Sequence, residues 1–160
     1  MTDTGIFNIS SNRNYVLFGV RMRILLTPAQ TGGQFGLVEG IMPAGTDAGL
    51  HVHHREDETM FIIGGSLEVT IGSETRLLTA GDSYFAPRAV PHRLRNTGAG
   101  PMRSLMIATP GEFTNFVAEA GIAFSGDDMP APTPPTAEDF QKIGILMEAH
   151  GLGMVFPSAS

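Results

Sequence analysis

The chain has 160 residues, a net charge of -6 and no cysteine. This length suits one well-cored domain, and the lack of cysteine excludes disulfides and thiolate metal sites. The negative charge argues against nucleic acid or an anionic membrane as a partner, because both bind through basic patches. The N-terminus has no basic start followed by an apolar core, and no apolar run approaches the ~20 residues that cross a bilayer. We therefore expect a cytoplasmic protein.

Short apolar segments separated by Gly, Pro or Asn predict an all-β domain over residues 15–110, preceded by a flexible N-terminal arm over residues 1–14. Such regular spacing favours a sandwich or a barrel. The predicted strands are 15–20, 21–26, 34–42, 58–63, 66–71, 74–78, 82–86, 92–96 and 103–109, with turns at 27–33, 64–65 and 72–73 and an irregular loop at 43–49.

The chain changes character after this domain, and residues 111–160 predict a helical extension. Residues 112–120 have apolar side chains at helical spacing. A proline-rich linker follows at about 127–136. Thr136 is the predicted N-cap of a second helix that ends near His150. Its apolar stripe must bury against the barrel or another subunit, and it consists of Phe140, Ile143, Leu146 and Met147.

One glycine-flanked stretch carries most of the polar residues that could do chemistry. If His51 and His53 lie on a strand, both side chains leave on the same face, because strand side chains alternate. Glu58 begins the next strand, so a short turn could bring it back to the histidines. His92 opens a later strand after a proline-marked turn. Imidazole and carboxylate groups that converge in this way predict a metal site.

Two motifs in these regions resemble those of the cupin family. The first is Gly, five residues, His, one residue, His, four residues, Glu, six residues, Gly, and it is matched by Gly45, His51, His53, Glu58 and Gly65. The second is Gly, five residues, Pro, one residue, Gly, two residues, His, three residues, Asn, and it is matched by Gly81, Pro87, His92 and Asn96. Ala89 stands where the family has its inner Gly, a departure expected to alter a turn without touching a ligand.

The resemblance implies a single jelly-roll β-barrel, also called a double-stranded β-helix, with short C-terminal helices. It implies that one divalent transition metal (Fe, Mn, Ni, Cu or Zn) binds His51, His53, Glu58 and His92. The alternative is a cluster of structural polar residues at the barrel mouth, without metal. Family pairing also implies a homodimer, with residues 1–20 and the C-terminal helix as candidate contacts.

The remaining polar residues near the motifs have simpler interpretations. His54 should face away from His53 and lie at the surface, and His150 should interact with a helix dipole. Glu56 and Asp57 predict a solvated turn, with Glu56 as an alternative to Glu58 as ligand. Asn96 is expected to fix the end of its strand.

Strand alternation also predicts an apolar substrate pocket beside the metal. Met60 and Ile62 should share the inward face with Glu58, and Leu94 should share it with His92. Such a lining favours a small hydrophobic or aromatic molecule. No arginine is predicted to face inward, which argues against a sugar-phosphate isomerase.

Three functions follow from these observations. The stretches H-V-H-H-R-E-D-E and F-I-I-G-G-S-L-E-V resemble single-domain cupins of the quercetin 2,3-dioxygenase type. That resemblance implies that a flavonol or similar enolisable phenol binds the metal, that Glu58 accepts its hydroxyl proton, and that dioxygen attacks the activated ring. A redox-neutral polyketide cyclase or isomerase with Zn²⁺ is the second hypothesis. A non-catalytic cupin that binds a small molecule is the third.

Overall fold

The computed structural model describes residues 5–7, 13–126, 128, 130 and 135–156. Most of the predicted N-terminal arm and much of the proline-rich linker lie outside the described residues. The strands are β1 (Asn14–Leu17), β2 (Val20–Leu26), β3 (Gly36–Met42), β4 (Asp47–His53), β5 (Asp57–Gly64), β6 (Ser66–Ile71), β7 (Glu74–Thr79), β8 (Ser83–Ala86), β9 (His92–Arg95), β10 (Met102–Thr109), β11 (Ile122–Phe124) and β12 (Leu152–Met154). The helices are α1 (Pro28–Thr31), α2 (Phe113–Ala120) and α3 (Ala137–Ala149).

The strands form two antiparallel sheets whose apolar side chains share one core. The seven-stranded sheet has the order β11-β1-β2-β3-β10-β5-β8, and the five-stranded sheet has the order β12-β4-β9-β6-β7. Burial alternates along the strands as one buried face requires. On β10, for example, Met102, Ser104, Met106 and Ala108 are buried, whereas the residues between them are half-buried or exposed. The prediction of an all-β fold with short C-terminal helices is confirmed.

A tight turn interrupts the first predicted strand pair. Residues 15–20 and 21–26 were expected as two strands, but the turn between them falls at Phe18 and Gly19. Both residues have positive φ, 52° and 75°, as a type I′ hairpin turn requires. Phenylalanine rarely adopts this conformation, so the sequence does not signal a turn before Gly19.

Two neighbouring segments also differ from their predictions. The turn expected over residues 27–33 contains the single helical turn α1, which Thr27 and Gln30 cap reciprocally and which Gly32 ends in the left-handed conformation. The irregular loop expected over residues 43–49 is strand from Asp47 onwards. The strand that carries His51 and His53 is therefore longer at its N-terminal end than the sequence indicates.

The C-terminal region adds a strand to each sheet. β11 pairs with β1, and β12 pairs with β4. The sequence analysis predicted neither strand, because three residues are too short to show a period. The division of the chain at residue 110 stays a prediction, but residues beyond it complete both sheets.

The last helix buries only part of its predicted apolar stripe. α3 begins after Thr136, whose capping box with Asp139 is formed as expected. Met147 is buried and Ile143 and Leu146 pack against the core, but Phe140 is 64% exposed. Phe140 lies in the first turn, beyond the edge of the barrel core. The predicted homodimer, with this helix as a contact, stays a prediction. No described helix is both long and apolar enough to cross a membrane.

Asn96 joins the ends of the two motif regions. Its buried side-chain amide donates to the Met42 carbonyl at 2.8 Å and to the Gly100 carbonyl at 2.9 Å, and it accepts from the Gly98 N–H at 3.0 Å. Its backbone carbonyl accepts from the Gly45 N–H at 2.9 Å. Asn96 therefore anchors the end of β9, as the sequence analysis expected.

Replacing Asn96 with Ala should lower the free energy of unfolding by about 2–4 kcal/mol, because buried backbone groups lose their partners. Urea denaturation followed by circular dichroism measures this change. Asn115→Ala is the matched control, since among the described residues the Asn115 side chain forms a hydrogen bond only with the surface residue Glu112. This substitution should change stability by no more than about 0.5 kcal/mol. Equal stability of Asn96→Ala and the wild type would contradict this role.

Candidate metal centre

Strand pairing brings the predicted ligands together from both sheets. β4 pairs with β9 so that His51 lies directly opposite His92, and His53 follows on the same face of β4. Glu58 lies on β5 in the other sheet. The cluster of His51, His53, Glu58 and His92, which we call the ligand cluster, therefore sits between the sheets.

The ligand cluster is compact enough for a single ion. One candidate atom from each of the four residues lies within 4.8 Å of all the others. The Glu58 carboxylate is 3.4 Å from His53 Nε2 and 3.7 Å from His92 Nε2. Atoms bound to one metal at ~2.1 Å are at most ~4.2 Å apart, so shifts of about 0.6 Å would complete the coordination.

Two of the three histidine rings, those of His51 and His92, are oriented as metal ligands require. The Nδ1 atom of His51 contacts the Gly49 carbonyl at 2.9 Å, and that of His92 contacts the Val90 carbonyl at 3.3 Å. When Nδ1 carries the proton for such an acceptor, Nε2 keeps a free lone pair. The Nε2 atom of His92 is buried and has no hydrogen-bond partner among the described residues. A metal would satisfy that atom.

Burial and contacts within the cluster also shift the pKa values of His51, Glu58 and His92. Burial, followed by the neighbouring His92, lowers the pKa of His51 to about 4. Burial would lower the pKa of His92 as well, but the Glu58 carboxylate and the Val90 carbonyl raise it by more. Burial raises the pKa of Glu58, and the three histidines outweigh that effect and hold it below its usual range. At neutral pH His51 is therefore a neutral imidazole and Glu58 a carboxylate, the forms that bind metals.

Tyr84 completes the surroundings of Glu58. It lies on β8, next to β5, and its buried hydroxyl donates a short hydrogen bond to Glu58 Oε1. Burial, together with the Glu58 charge, raises the pKa of Tyr84, so the phenol stays protonated as a donor. The sequence analysis did not identify Tyr84. Its only signal was the inward position in the strand S-Y-F-A.

Glu56 was predicted to lie in a solvated turn, and that prediction is wrong. Its side chain is buried, with 2% exposure, and Oε2 lies 3.7 Å from His53 Nδ1. It is outside the ligand cluster because it faces the opposite side of the His53 ring from Glu58. Asp57 is not in a turn either, since it begins β5, where it is half-buried and paired with Arg88. Burial of Glu56 depends on tertiary contacts, which a polar run such as R-E-D-E does not reveal.

The other polar residues lie close to their expected places. His54 is exposed. His150 caps the end of α3, and its Nε2 lies 3.0 Å from Glu119. Ala89, at the position where the family has Gly, adopts φ of 63° and donates its N–H to the His53 carbonyl at 2.7 Å. It therefore keeps the left-handed conformation that a glycine would adopt more easily.

An apolar cavity opens beside the ligand cluster, and His51, His53 and Glu58 form part of its wall. Met60 and Leu94 line it as predicted, whereas Ile62 is fully buried in the core and is not part of the lining. Among the described residues, the only other polar side chain in the lining is that of Ser104.

Methionine dominates the cavity wall, which the sequence analysis missed. Seven of the nine methionines in the chain line it: Met22, Met42, Met60, Met102, Met106, Met147 and Met154. Met147 and Met154 come from the C-terminal region, and Phe113 of α2 places its ring 5.1 Å from that of His53. Methionine side chains are flexible and polarizable, so this wall can adapt to different apolar shapes.

Tyr84→Phe should lower the free energy of unfolding by about 1–3 kcal/mol, because the buried Glu58 carboxylate loses its donor. Tyr15→Phe is the matched control. Tyr15 is half-buried, and its hydroxyl makes no hydrogen bond with the described residues, so its removal should change stability by about 0.5 kcal/mol or less. Chemical denaturation of both metal-free variants measures the difference. A Tyr84→Phe protein as stable as Tyr15→Phe would show that this hydrogen bond is dispensable.

Comparisons with known proteins agree with the geometry. The Cupin domain family matches residues 38–108. An uncharacterized protein of Methanocaldococcus jannaschii is 31% identical over 93 residues, which cover 58% of this chain and 74% of that protein. Polyketide synthase CurC of Streptomyces cyaneus is 32% identical over 93 residues, which cover 58% of this chain but only 60% of that protein.

A solved structure shows the same fold. The RmlC-like cupin from Shewanella frigidimarina aligns with a TM-score of 0.57 and 19% identity, over 69% of this chain and 96% of that one. The predicted jelly-roll fold is thereby confirmed. With the motif residues gathered between two sheets, and with the family match over β3 to β10, the chain belongs to the cupin superfamily.

Proposed function

We propose that this protein is a metal-dependent enzyme that acts on a small hydrophobic or phenolic molecule. The observation that carries the proposal is the convergence of His51, His53, Glu58 and His92 beside an apolar cavity whose wall includes the first three of them. Three imidazoles and one carboxylate suit Fe²⁺, Mn²⁺, Ni²⁺, Cu²⁺ or Zn²⁺. These four residues would hold the ion, and the adjoining cavity would give a substrate access to it.

The cavity lining supports this class of substrate. Its described lining contains no lysine or arginine, so it offers no counter-charge for a phosphate or carboxylate group. The apolar side chains favour a ring system with few polar groups. The Ser104 hydroxyl, buried in β10, makes no hydrogen bond with the described residues. It can therefore donate to an oxygen of the substrate.

The polar residues then have separate roles in the proposed reaction. The metal would polarise a substrate oxygen and, where it is redox-active, support electron transfer to dioxygen. Glu58 would accept the proton of the substrate's hydroxyl group, and the Tyr84 hydroxyl would keep the Glu58 carboxylate in position. The methionine-rich wall would exclude water from the reacting atoms.

Dioxygenation of an enolisable phenol, as in quercetin 2,3-dioxygenase-like cupins, is the reaction we propose. Oxidation of this kind needs a hydroxyl group bound near a base and an apolar channel for dioxygen. Glu58 would be that base, and the apolar cavity would admit dioxygen. The His₃Glu cluster matches the ligand set that the motif resemblance implies.

A redox-neutral reaction is the second candidate, and the similarity to CurC favours it. That similarity connects the chain to a protein whose name places it in polyketide synthesis, although the match covers three-fifths of that protein. In this case the metal would be Zn²⁺, acting only on a carbonyl, and Glu58 would move a proton between two atoms of the same molecule. The same apolar cavity would hold a polyketide.

The protein purified without added metal should contain close to one equivalent of a divalent transition metal, and His53→Ala should lose it. His54→Ala is the matched control, because His54 is the exposed neighbour of His53 and should keep the metal. Plasma emission spectroscopy of the three proteins measures the content. Equal metal content in His53→Ala and His54→Ala would contradict the site.

Dioxygen uptake distinguishes the two reactions. The Fe, Mn, Ni and Cu forms, given a panel of flavonols and related phenols, should consume dioxygen in step with substrate, and Glu58→Gln should abolish this. Glu68→Gln, which alters a surface carboxylate paired with Arg95, should leave the rate unchanged. Conversion of a polyketide under anaerobic conditions by the Zn form would instead support the second candidate. No turnover by any metal form, with either substrate class, would contradict an enzymatic function.

A further inference from the structure

Glu56 is a buried carboxylate that the proposed reaction does not use. It lies between β4 and β5, directly after the exposed residues His54 and Arg55. Its Oε2 atom and the Nδ1 atom of His53 are both buried, are 3.7 Å apart, and have no hydrogen-bond partner among the described residues. An unpaired buried carboxylate is costly, so its position calls for an explanation.

The surrounding chain holds Glu56 in place. The His54 N–H donates to the Gly151 carbonyl at 2.8 Å, and Arg55 Nη1 donates to the Ala149 carbonyl at 2.9 Å. On the other side, Asp57 accepts from the Arg88 N–H at 2.8 Å and pairs with its guanidinium. These contacts fix the turn at both ends and leave the Glu56 side chain pointing to the interior.

The side from which the Glu56 carboxylate approaches the His53 ring limits what Glu56 can do. The two nitrogens of an imidazole ring point in divergent directions, and Glu58 lies 3.4 Å from the Nε2 of His53, on the side of the ligand cluster. A carboxylate at Nδ1 therefore cannot share a metal with Nε2. It can accept a hydrogen bond from Nδ1–H, which leaves the lone pair on Nε2 and fixes the ring plane.

We propose that Glu56 is a positioning residue that accepts a hydrogen bond from the Nδ1–H of His53 and holds its Nε2 towards the metal, an inference that rests on the proposed metal binding. Gly49 and Val90 supply backbone carbonyls for His51 and His92, and His53 has a carboxylate instead. A shift of about 0.8 Å closes the gap to a hydrogen bond. Two carboxylates, Glu56 and Glu58, then balance the charge of one divalent ion.

The affinity for Co²⁺ tests this role without any assay of activity. Competition with a fluorescent chelator gives the dissociation constants of the wild type, Glu56→Leu, Glu56→Gln and Glu74→Gln. Glu56→Leu should weaken Co²⁺ binding by about 10–100-fold. Glu56→Gln keeps an acceptor oxygen and should fall between Glu56→Leu and the wild type. Glu74→Gln removes an exposed carboxylate that pairs with Arg76, and it should bind as the wild type does.

A second measurement, by NMR, detects the Nδ1 proton of His53. In Zn²⁺-loaded protein with ¹⁵N-labelled histidine, the Nδ1 proton of His53 should resonate downfield in the wild type, and this signal should move upfield or vanish in Glu56→Gln. The chain has only five histidines, so His53→Ala assigns the signal. The Glu56→Gln variant stays informative even if Glu56→Leu does not fold.

The outcomes separate the inference from the proposed function. If the wild type binds neither Co²⁺ nor Zn²⁺, both are overturned. If the wild type binds and Glu56→Gln matches it in affinity and in the His53 proton signal, the positioning role alone is overturned. Weaker binding in both Glu56 variants, with Glu74→Gln unchanged, supports the role.

Discussion

The pairing of β4 with β9 is the constraint on which the candidate site depends. Its register sets His51 opposite His92, with ring centroids 4.4 Å apart, and strand alternation then places His53 on the same face. A slip of one residue would turn the side chains of one strand to the other face of the sheet. Hydrogen bonds of Asn96 to both motif regions oppose such a slip.

The C-terminal region supports the same strand from its other edge. β12 pairs with β4, so that Leu152 lies opposite His53 and Met154 opposite His51. The preceding turn at Gly151 anchors the loop that buries Glu56. Sequence beyond the motif-bearing barrel therefore determines how the ligands are held, and Met147, Leu152 and Met154 also contribute to the cavity wall.

Burial gives the site its chemistry as well as its shape. An apolar cavity beside three imidazoles keeps His51 neutral, while the three imidazoles keep Glu58 ionised. The buried Glu58 carboxylate carries a charge that a divalent cation at the ligand cluster would balance. The same apolar surroundings would strengthen the interaction of the ion with a substrate oxygen.

Spacing in the sequence predicted those parts of the structure that local rules control. The alternating strands, the capping box at Thr136 and the ligand cluster follow from periodicity or from the motif resemblance. Tertiary contacts decided the rest. Phe18 adopts positive φ because the hairpin requires it, and Glu56 is buried because its neighbours are anchored elsewhere. Short strands such as β11 and β12 form only because a partner strand is already present.

Anomalous diffraction from crystals of the metal-loaded protein tests the central claim most directly. The account predicts a single peak in the ligand cluster, about 2.0–2.2 Å from the Nε2 atoms of the three histidines and from a Glu58 oxygen, with the open side facing the methionine-lined cavity. A peak elsewhere, or ligation through an Nδ1 atom, would contradict it.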